Sequence, residues 1–353
     1  MQDRKISRRT LLKASGAAAV LFASPLRAAP PEPVAITPAL IEAARKEGKV
    51  VYYSSIDLPV SERIAKAFEA KYPGIAVRVE RTGAERLFQR VSQEYASNIH
   101  AADIINTSDA AHFIVWRRDG LFAPFVPEDV AKHYPTEYQE PDGLFAIFRT
   151  GLVVIGYNTR LVKAQDAPKS FADLLDPKWA GKIVKAHPGF SGTVLTATYE
   201  MSRDIGWDYF EKLAKQRVMQ VQSSSDPPKK LALGERAVMA DGNEYNMFQI
   251  KESGGPVEIV YPAEGAPMII SPAAVLKAAP NPNAARLFQC FSFSPECQKL
   301  VVDLGGMRSL HAQVKDPPGR RPLTDIKIMK EDPAAVERMS EDIKTRYTRI
   351  FRV

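Results

Sequence analysis

The stretch Lys49-Val50-Val51-Tyr52-Tyr53 is short and apolar, and it predicts a β-strand. Residues 61–72 follow with apolar side chains at helical spacing, and residues 75–79 alternate like a second strand. A helix over 84–97 and a strand over 102–105 continue the order. Strands that alternate with helices of this length are typical of βαβ units, so we predict an α/β fold with a mainly parallel sheet.

The same alternation returns in the second half of the chain. It predicts strands over 152–157, 182–186 and 237–239, helices over 171–175 and 192–203, and returning strands over 257–261 and 267–275. Three further helices are expected over 283–291, 295–304 and 333–350. About 324 residues follow residue 29, which exceeds what one core usually organises. We therefore expect two lobes, joined near 148–156 and 257–266, with a cleft between them that closes on a ligand.

Residues 1–29 have the composition of an export signal. Basic residues over 7–13 include Arg8 and Arg9, an apolar stretch follows over 14–23, and small residues end the segment at Ala29. The paired arginines are similar to those of a twin-arginine signal, which predicts a periplasmic protein. Of the formal net charge of +7, +5 lies in this segment, so nothing in the remainder predicts nucleic-acid binding. Cys290 and Cys297 are the only cysteines, and either a disulfide or two buried thiols is compatible with their spacing.

Small hydroxyl residues and glycines follow several predicted strands. In open α/β sheets, ligands bind at the carboxyl ends of strands, and helix N-termini offer free N–H groups to an anion. Arg149 precedes the strand that enters the second lobe and could pair with such an anion. The candidate ligand-binding residues at these strand ends are Ser54, Ser55, Thr82, Gly83, Ser108, Ser191, Gly192 and Thr193.

Four segments, taken in order, carry a resemblance to a known family. They are 188–193 (Pro-Gly-Phe-Ser-Gly-Thr), 240–246 (Ala-Asp-Gly-Asn-Glu-Tyr-Asn), 271–277 (Ser-Pro-Ala-Ala-Val-Leu-Lys) and 291–298 (Phe-Ser-Phe-Ser-Pro-Glu-Cys-Gln). This order resembles the periplasmic substrate-binding proteins of ABC importers, in the ferric-ion-binding branch of the family-1 extracellular binding proteins. The resemblance covers nearly all of 45–310.

The resemblance implies a two-lobed type II periplasmic binding protein fold. It places 30–150 and 265–325 in lobe 1, and 151–264 and 326–353 in lobe 2. It further implies a chain that captures a solute by lobe closure and delivers it to a membrane ABC permease. We expect a monomer with no cofactor and no metal, and add Ser225, Asn243 and Tyr245 to the candidate ligand-binding residues.

The metal half of the family's site is mostly missing. Ferric members hold iron with two adjacent tyrosines and usually a histidine and a glutamate. Here Tyr245 matches the first tyrosine, Asn246 stands in place of the second, and Ser108 falls where the glutamate would be. Neutral amides and hydroxyls are poor ligands for Fe³⁺. Some members of the family that lack the tyrosine pair bind phosphorylated sugars, phosphonates or other organic anions, so the resemblance implies a small anionic solute, namely an organophosphate, a phosphonate or an organic carboxylate. Ferric iron or a ferric chelate, with Tyr245 as a ligand, is the alternative.

An enzyme is the remaining class to consider. Gly189-Phe190-Ser191-Gly192-Thr193 approaches the G-x-S-x-G pattern of serine hydrolases, but its fifth residue is threonine. The five histidines lack metal-ligand spacing, and no phosphate-binding or dinucleotide-binding glycine motif is present. We therefore predict that the protein is not an enzyme.

Overall fold

The computed structural model describes residues 31–353 and contains a mixed sheet of ten strands within that range. Its strands are β1 (Lys49–Ser54), β2 (Ala76–Arg81), β3 (Ile104–Asn106), β4 (Ala146–Asn158), β5 (Ile183–Ala186), β6 (Met219–Val221), β7 (Val238–Asn243), β8 (Val257–Val260), β9 (Ala266–Val275) and β10 (Ile328–Met329). Its α-helices are α1 (Pro38–Glu47), α2 (Leu58–Lys71), α3 (Ala84–Ala96), α4 (Ala110–Arg118), α5 (Glu128–His133), α6 (Gly192–Asp204), α7 (Trp207–Ala214), α8 (Asp226–Ala232), α9 (Glu244–Glu252), α10 (Pro282–Phe293), α11 (Pro295–Asp303) and α12 (Pro333–Phe351).

The sheet divides into two halves that share two long strands. The strand order is β2-β1-β3-β9-β4-β7-β5-β6, with β8 paired to β4 and β10 to β9. In the first half β1 runs parallel to β2 and β3, and in the second β5 runs parallel to β6 and β7. The long strands β4 and β9 are antiparallel to each other and connect the halves. The predicted βαβ architecture is therefore present in each lobe.

Each lobe buries its own apolar core. In lobe 1, Phe68 from α2 packs edge-on against Phe288 from α10, with ring centroids 5.1 Å apart. In lobe 2, Phe171 packs edge-on against Tyr209 from α7, with centroids 5.7 Å apart. Every residue of β4 is buried, as expected for a strand covered on both faces. The strand ends that carry the candidate ligand-binding residues are thus anchored in two separate apolar cores.

The C-terminal helix α12 packs against both lobes. It begins as the sequence indicates, since Asp332 accepts a hydrogen bond from the backbone N–H of Ala335 at 2.9 Å and Pro333 occupies the first turn. The helix then contacts α4 of lobe 1 and α6 and α7 of lobe 2. The assignment of 326–353 to lobe 2 alone stays a proposal, as do the other lobe boundaries.

Several expectations need adjustment or lie outside the described range. The second crossing strand is β9, whereas β8, at 257–260, stays in lobe 2 as a partner of β4. Cys290 and Cys297 are both buried free thiols, and burial raises the pKa of Cys290 to about 12. Among the described residues, no helix is long and apolar enough to cross a membrane. The export signal at 1–29 lies outside the described residues.

Candidate functional site

A cavity of about 680 Å³ opens between the lobes. Lobe 1 contributes residues from the β1–α2 connection and the end of β2, and lobe 2 contributes the segment before α8 and the first turns of α9. The polar residues that line the cavity include Asp57, Arg81, Ser223, Ser225, Asp226 and Asn246. Both lobes supply polar groups, so a solute held here would contact both.

Asn243 organises the wall that lobe 2 presents. It ends β7, and its side-chain amide donates towards Ser224 Oγ at 3.1 Å, Tyr245 Oη at 3.1 Å and Asn246 Oδ1 at 3.0 Å. The Asn246 amide in turn donates to Asp57 Oδ2 at 3.0 Å, across the cleft. These hydrogen bonds connect the two lobes through Asn243, the residue chosen from the sequence, and Asp57, a residue that was not chosen.

Arg149 is buried in β4 and has no ion-pair partner among the described residues. Its side chain is 4% exposed, and its guanidinium carbon lies 5.7 Å from the centre of the Tyr245 ring. Nε has no hydrogen-bond acceptor within the described range. Burial lowers the pKa of Arg149, and the nearby Tyr245, Tyr52 and Asp57 only oppose that shift. A buried cation without an ion-pair partner is costly, and Arg149 lies behind the 680 Å³ cavity rather than among the residues that line it.

The start of α6 offers a second set of donors. Ser191, Gly192 and Thr193 are all buried, and the first-turn N–H groups have no intrahelical acceptor. No other described residue accepts a hydrogen bond from the backbone N–H groups of Gly192 and Thr193. The two lobes are also in close contact at Gly192. A Cβ added to this glycine would lie only 2.4 Å from Asp109 Cβ.

The serines predicted on lobe 1 are engaged within that lobe. Ser54 Oγ accepts from the Ile56 N–H at 3.0 Å and donates to the Tyr52 hydroxyl at 3.2 Å. Ser55 Oγ accepts from the Ser108 N–H at 2.9 Å. These bonds fix the two loops that end β1 and β3, so their hydroxyls have less capacity left for a ligand than the sequence alone implied.

The remaining predicted positions lie at the rim of the cleft. Thr82 N–H donates to the Ser54 carbonyl at 3.2 Å, which fixes the end of β2. Gly83 caps α3 and approaches lobe 2, since a Cβ there would lie 3.6 Å from the Phe190 carbonyl oxygen. Ser225 borders the 680 Å³ cavity, with its Oγ 2.9 Å from Ser223 Oγ.

Tyr245 is a poor phenolate in this environment. Its ring is 7% exposed, and burial, together with Asp57, raises the pKa of the hydroxyl above its ordinary value despite the opposing effect of Arg149. The hydroxyl already accepts the Asn243 amide at 3.1 Å. Tyr245 is therefore better suited to donate a hydrogen bond as a neutral phenol than to bind a metal as a phenolate.

Two polar residues that follow strands have structural roles. Glu244 is held by Arg308 at 2.8 Å, Arg320 at 2.7 Å and the Tyr261 hydroxyl at 2.6 Å. His187 Nδ1 accepts from the Gly189 N–H at 2.9 Å, as a capping residue does. Neither side chain is bonded to Ser191, so neither activates that serine as a nucleophile.

The sequence comparisons place the chain in a family. Residues 101–321 match the bacterial extracellular solute-binding proteins, and the chain belongs to that family, whose members are not enzymes. A probable ABC transporter periplasmic-binding protein of Sinorhizobium fredii, y4fP, is 28% identical over 156 residues, which are 41% of this chain and 42% of that one. Iron uptake protein A1 of Synechocystis sp. is 26% identical over 328 residues, 85% of each chain.

Solved structures agree with the fold. The periplasmic binding protein AfuA of Actinobacillus pleuropneumoniae, solved with fructose-6-phosphate bound, superposes with a TM-score of 0.79 at 24% identity, over 87% of this chain and 99% of that one. The architecture is that of the type II periplasmic binding proteins. The chain is thus a periplasmic or extracellular solute-binding protein of an ABC transporter, with a solute and a permease as its partners.

Proposed function

We propose that this protein captures a small organic anion, namely an organophosphate, a phosphonate or a carboxylate, by closing its lobes, and delivers it to its permease. The observation that carries this proposal is Arg149, a buried guanidinium that forms no ion pair with a described residue, although the charge of Asp57 acts on it. An anionic group bound there would compensate its charge through charge-assisted hydrogen bonds.

The surrounding groups suit the rest of such a solute. The free N–H groups of Gly192 and Thr193 can donate hydrogen bonds to further oxyanion oxygens at a helix N-terminus. Ser225, Asn243 and Tyr245 supply neutral donors and acceptors nearby. Closure requires a ligand that binds the shut state better than the open one, and contacts from both lobes provide that difference.

Ferric iron or a ferric chelate remains the second candidate, because Tyr245 occupies the cleft and a curated relative is an iron uptake protein. The charges at this site, and the side chains available there as ligands, argue against bound iron. Among the described residues, the single group of three His, Cys, Asp or Glu side chains close enough to share a metal ion includes no residue that lines the 680 Å³ cavity. A chelate would have to supply nearly all of the iron's ligands itself.

A thermal-melt screen tests the proposal. The panel contains sugar phosphates, phosphonates, carboxylates, and ferric iron with and without citrate. A solute at 100 times its dissociation constant stabilises the folded state by about 2.7 kcal/mol, which shifts the melting temperature by a few degrees. We expect the shift with a metal-free organic anion. A shift only in the presence of iron would favour the ferric candidate, and no shift with any anion would contradict the proposal.

The test becomes specific with one variant and its control. Arg149→Met should abolish the shift, whereas Arg160→Met, which removes an exposed arginine just beyond β4, should retain it. Equal shifts in both variants would contradict the role given to Arg149.

We further propose that the chain is exported by the twin-arginine pathway and functions as a monomer. The support for export is that basic, apolar and small residues follow one another in that order over residues 1–29. Replacing Arg8 and Arg9 together by lysine should leave the protein in the cytoplasmic fraction. Unchanged export of that variant would contradict the twin-arginine route. A molecular mass in solution equal to that of one chain would agree with the proposed monomer.

A further inference from the structure

A buried cluster of three ionisable side chains lies in lobe 1, where that lobe meets α6. Glu85 comes from the first turn of α3, and Asp109 and His112 come from the start of α4. His112 Nε2 lies 3.1 Å from Glu85 Oε1 and 3.5 Å from Asp109 Oδ2. The three side chains are more than nine-tenths buried, and the three atoms lie within 4.8 Å of one another. One nitrogen and two carboxylate oxygens therefore face a common point.

Neighbouring groups hold each of these side chains in that orientation. The backbone N–H of Ala111 donates to Asp109 Oδ1 at 2.9 Å, which leaves Oδ2 directed into the cluster. Lys344 from α12 donates to Glu85 Oε2 at 3.0 Å, which leaves Oε1 directed inward. His112 stacks on Phe88 with ring centroids 4.5 Å apart. The contacts to the two carboxylates are of the kind that surrounds metal ligands, whereas His112 Nδ1 has no hydrogen-bond partner among the described residues and the ring is held by stacking.

Asp109 Oδ2 is the atom that the protein leaves unpaired. The residue is fully buried, yet this oxygen has no hydrogen-bond partner among the described residues. The His112 Nε2–H can be directed at Glu85 Oε1 but does not also satisfy Asp109 Oδ2. A protonated His112 therefore gives Asp109 Oδ2 an ion pair at 3.5 Å but no hydrogen bond, whereas a cation at the common point contacts all three atoms.

We infer that Glu85, Asp109 and His112 bind a divalent first-row metal ion, for which Zn²⁺ is the probe. A tetrahedral zinc ion with bonds of about 2.0–2.2 Å separates neighbouring ligand atoms by about 3.3–3.5 Å. The distances from His112 Nε2 to Glu85 Oε1, 3.1 Å, and to Asp109 Oδ2, 3.5 Å, are close to that spacing. Imidazole with carboxylates is a suitable ligand set for such ions.

This cluster contains neither Arg149 nor Tyr245, but it borders the solute cleft at the start of α6, where Asp109 contacts Gly192 of lobe 2. A metal ion here would fix the start of α4 against α3, and so the lobe 1 surface on which α6 rests.

The test is a Zn²⁺ titration of the purified protein after treatment with a chelator, followed by calorimetry. Substitution with Co²⁺ adds a visible absorption spectrum that reports tetrahedral coordination. The variants are Asp109→Asn, which keeps the shape of the side chain and the acceptor for Ala111, and His112→Gln. The matched control is His133→Gln, which removes a histidine of the same lobe outside the cluster.

We expect one Zn²⁺ per chain in the wild-type protein and in His133→Gln. We expect at least tenfold weaker binding, with loss of the tetrahedral Co²⁺ spectrum, in Asp109→Asn and His112→Gln. The inference is overturned if the wild-type protein binds no Zn²⁺, or if Asp109→Asn binds it as tightly as the wild-type protein does.

Discussion

The buried arginines of this protein fall into two groups, which differ in whether a carboxylate compensates their charge. Arg308 and Arg320 lie on either side of Glu244, with Arg308 Nη2 2.8 Å and Arg320 Nη2 2.7 Å from its carboxylate oxygens. Asp316 adds a second carboxylate at 2.7 Å from Arg308 Nη1. Arg149 is equally buried, but no carboxylate of the described residues lies within ion-pair distance of it. The charges of the first group are compensated by carboxylates without a ligand, whereas Arg149 has no ion-pair partner.

This difference separates a structural group from a binding site. A buried ion pair stabilises a fold only weakly compared with apolar residues, but removing one of its members is strongly destabilising. A buried charge that lacks a partner destabilises the empty protein and becomes favourable when a counter-charge binds. Substitutions in the two groups should therefore have opposite consequences.

The largest effect is expected for Glu244→Gln. The substitution removes the charge that compensates Arg308 and Arg320, and we expect it to lower the free energy of unfolding by about 3–5 kcal/mol. Denaturant unfolding measures the change. Glu235→Gln, which alters an exposed pair with Lys230, is the control and should change stability by less than about 1 kcal/mol.

The pH dependence gives this first prediction an independent check. Burial opposes ionisation of Glu244, but hydrogen bonding with Arg308 and the charges of both arginines hold its pKa below the ordinary value. A carboxyl group with a depressed pKa stabilises the fold above its unfolded pKa, and that contribution is lost as the pH falls through the folded pKa. The difference between the wild-type protein and Glu244→Gln should therefore shrink below about pH 4.5. A difference that grows in acid would contradict the account.

Arg149→Met should have the opposite effect on the empty protein. Because the substitution removes a buried cation without a partner, we expect the free energy of unfolding to stay within about 1 kcal/mol of the wild-type value or to rise. Denaturant unfolding without solute measures it. A loss of several kcal/mol would show that Arg149 is a structural residue like Arg308.

Gly192→Ala tests whether the lobes must touch for the cleft to bind. The added Cβ would lie 2.4 Å from Asp109 Cβ, although alanine suits a helix better than glycine. We expect an overlap cost of about 1–3 kcal/mol in the closed state, seen as roughly tenfold weaker solute binding with an unreduced melting temperature. Small-angle scattering with saturating solute should show less compaction than in the wild-type protein. Full compaction and full affinity would contradict the observed contact.

Tyr245→Phe should produce the smallest change. The Asn243 amide keeps Ser224 and Asn246 as acceptors, so loss of one neutral hydroxyl should cost about 0.5–1.5 kcal/mol of solute binding. Calorimetric titration with the solute measures it. A visible iron charge-transfer band that disappears in this variant would instead support the ferric candidate.

Much of the fold could be predicted from local patterns in the sequence. The alternation of apolar strands and amphipathic helices predicted the βαβ order in each lobe, and Asp332 with Pro333 predicted the start of α12. Helices α4, α5, α7, α8 and α9 were missed. The α9 helix follows β7 without a connecting loop, and its first turns are buried regardless of helical spacing, so no amphipathic pattern marks where the strand ends.

The site was less accessible to sequence reasoning because pairing is a long-range property. Glu244 and Asp57 are both acidic residues that follow strands. However, the arginines that hold Glu244 are 64 and 76 positions away along the chain, and the amide that contacts Asp57 is 189 positions away. Arg149 was a candidate because of its position before a strand, whereas its lack of a partner emerges only from the fold. Asp57 had a signal, since it lies two residues after Ser55, in the loop that follows β1.

The most direct test of the central claim is a crystal structure of the protein with the metal-free anion that gives the largest melting shift. The account predicts that the anionic group lies within about 2.7–2.9 Å of the Arg149 guanidinium, between the two lobes. An anion bound elsewhere, with Arg149 still unpaired, would contradict the claim that this buried arginine recognises the solute.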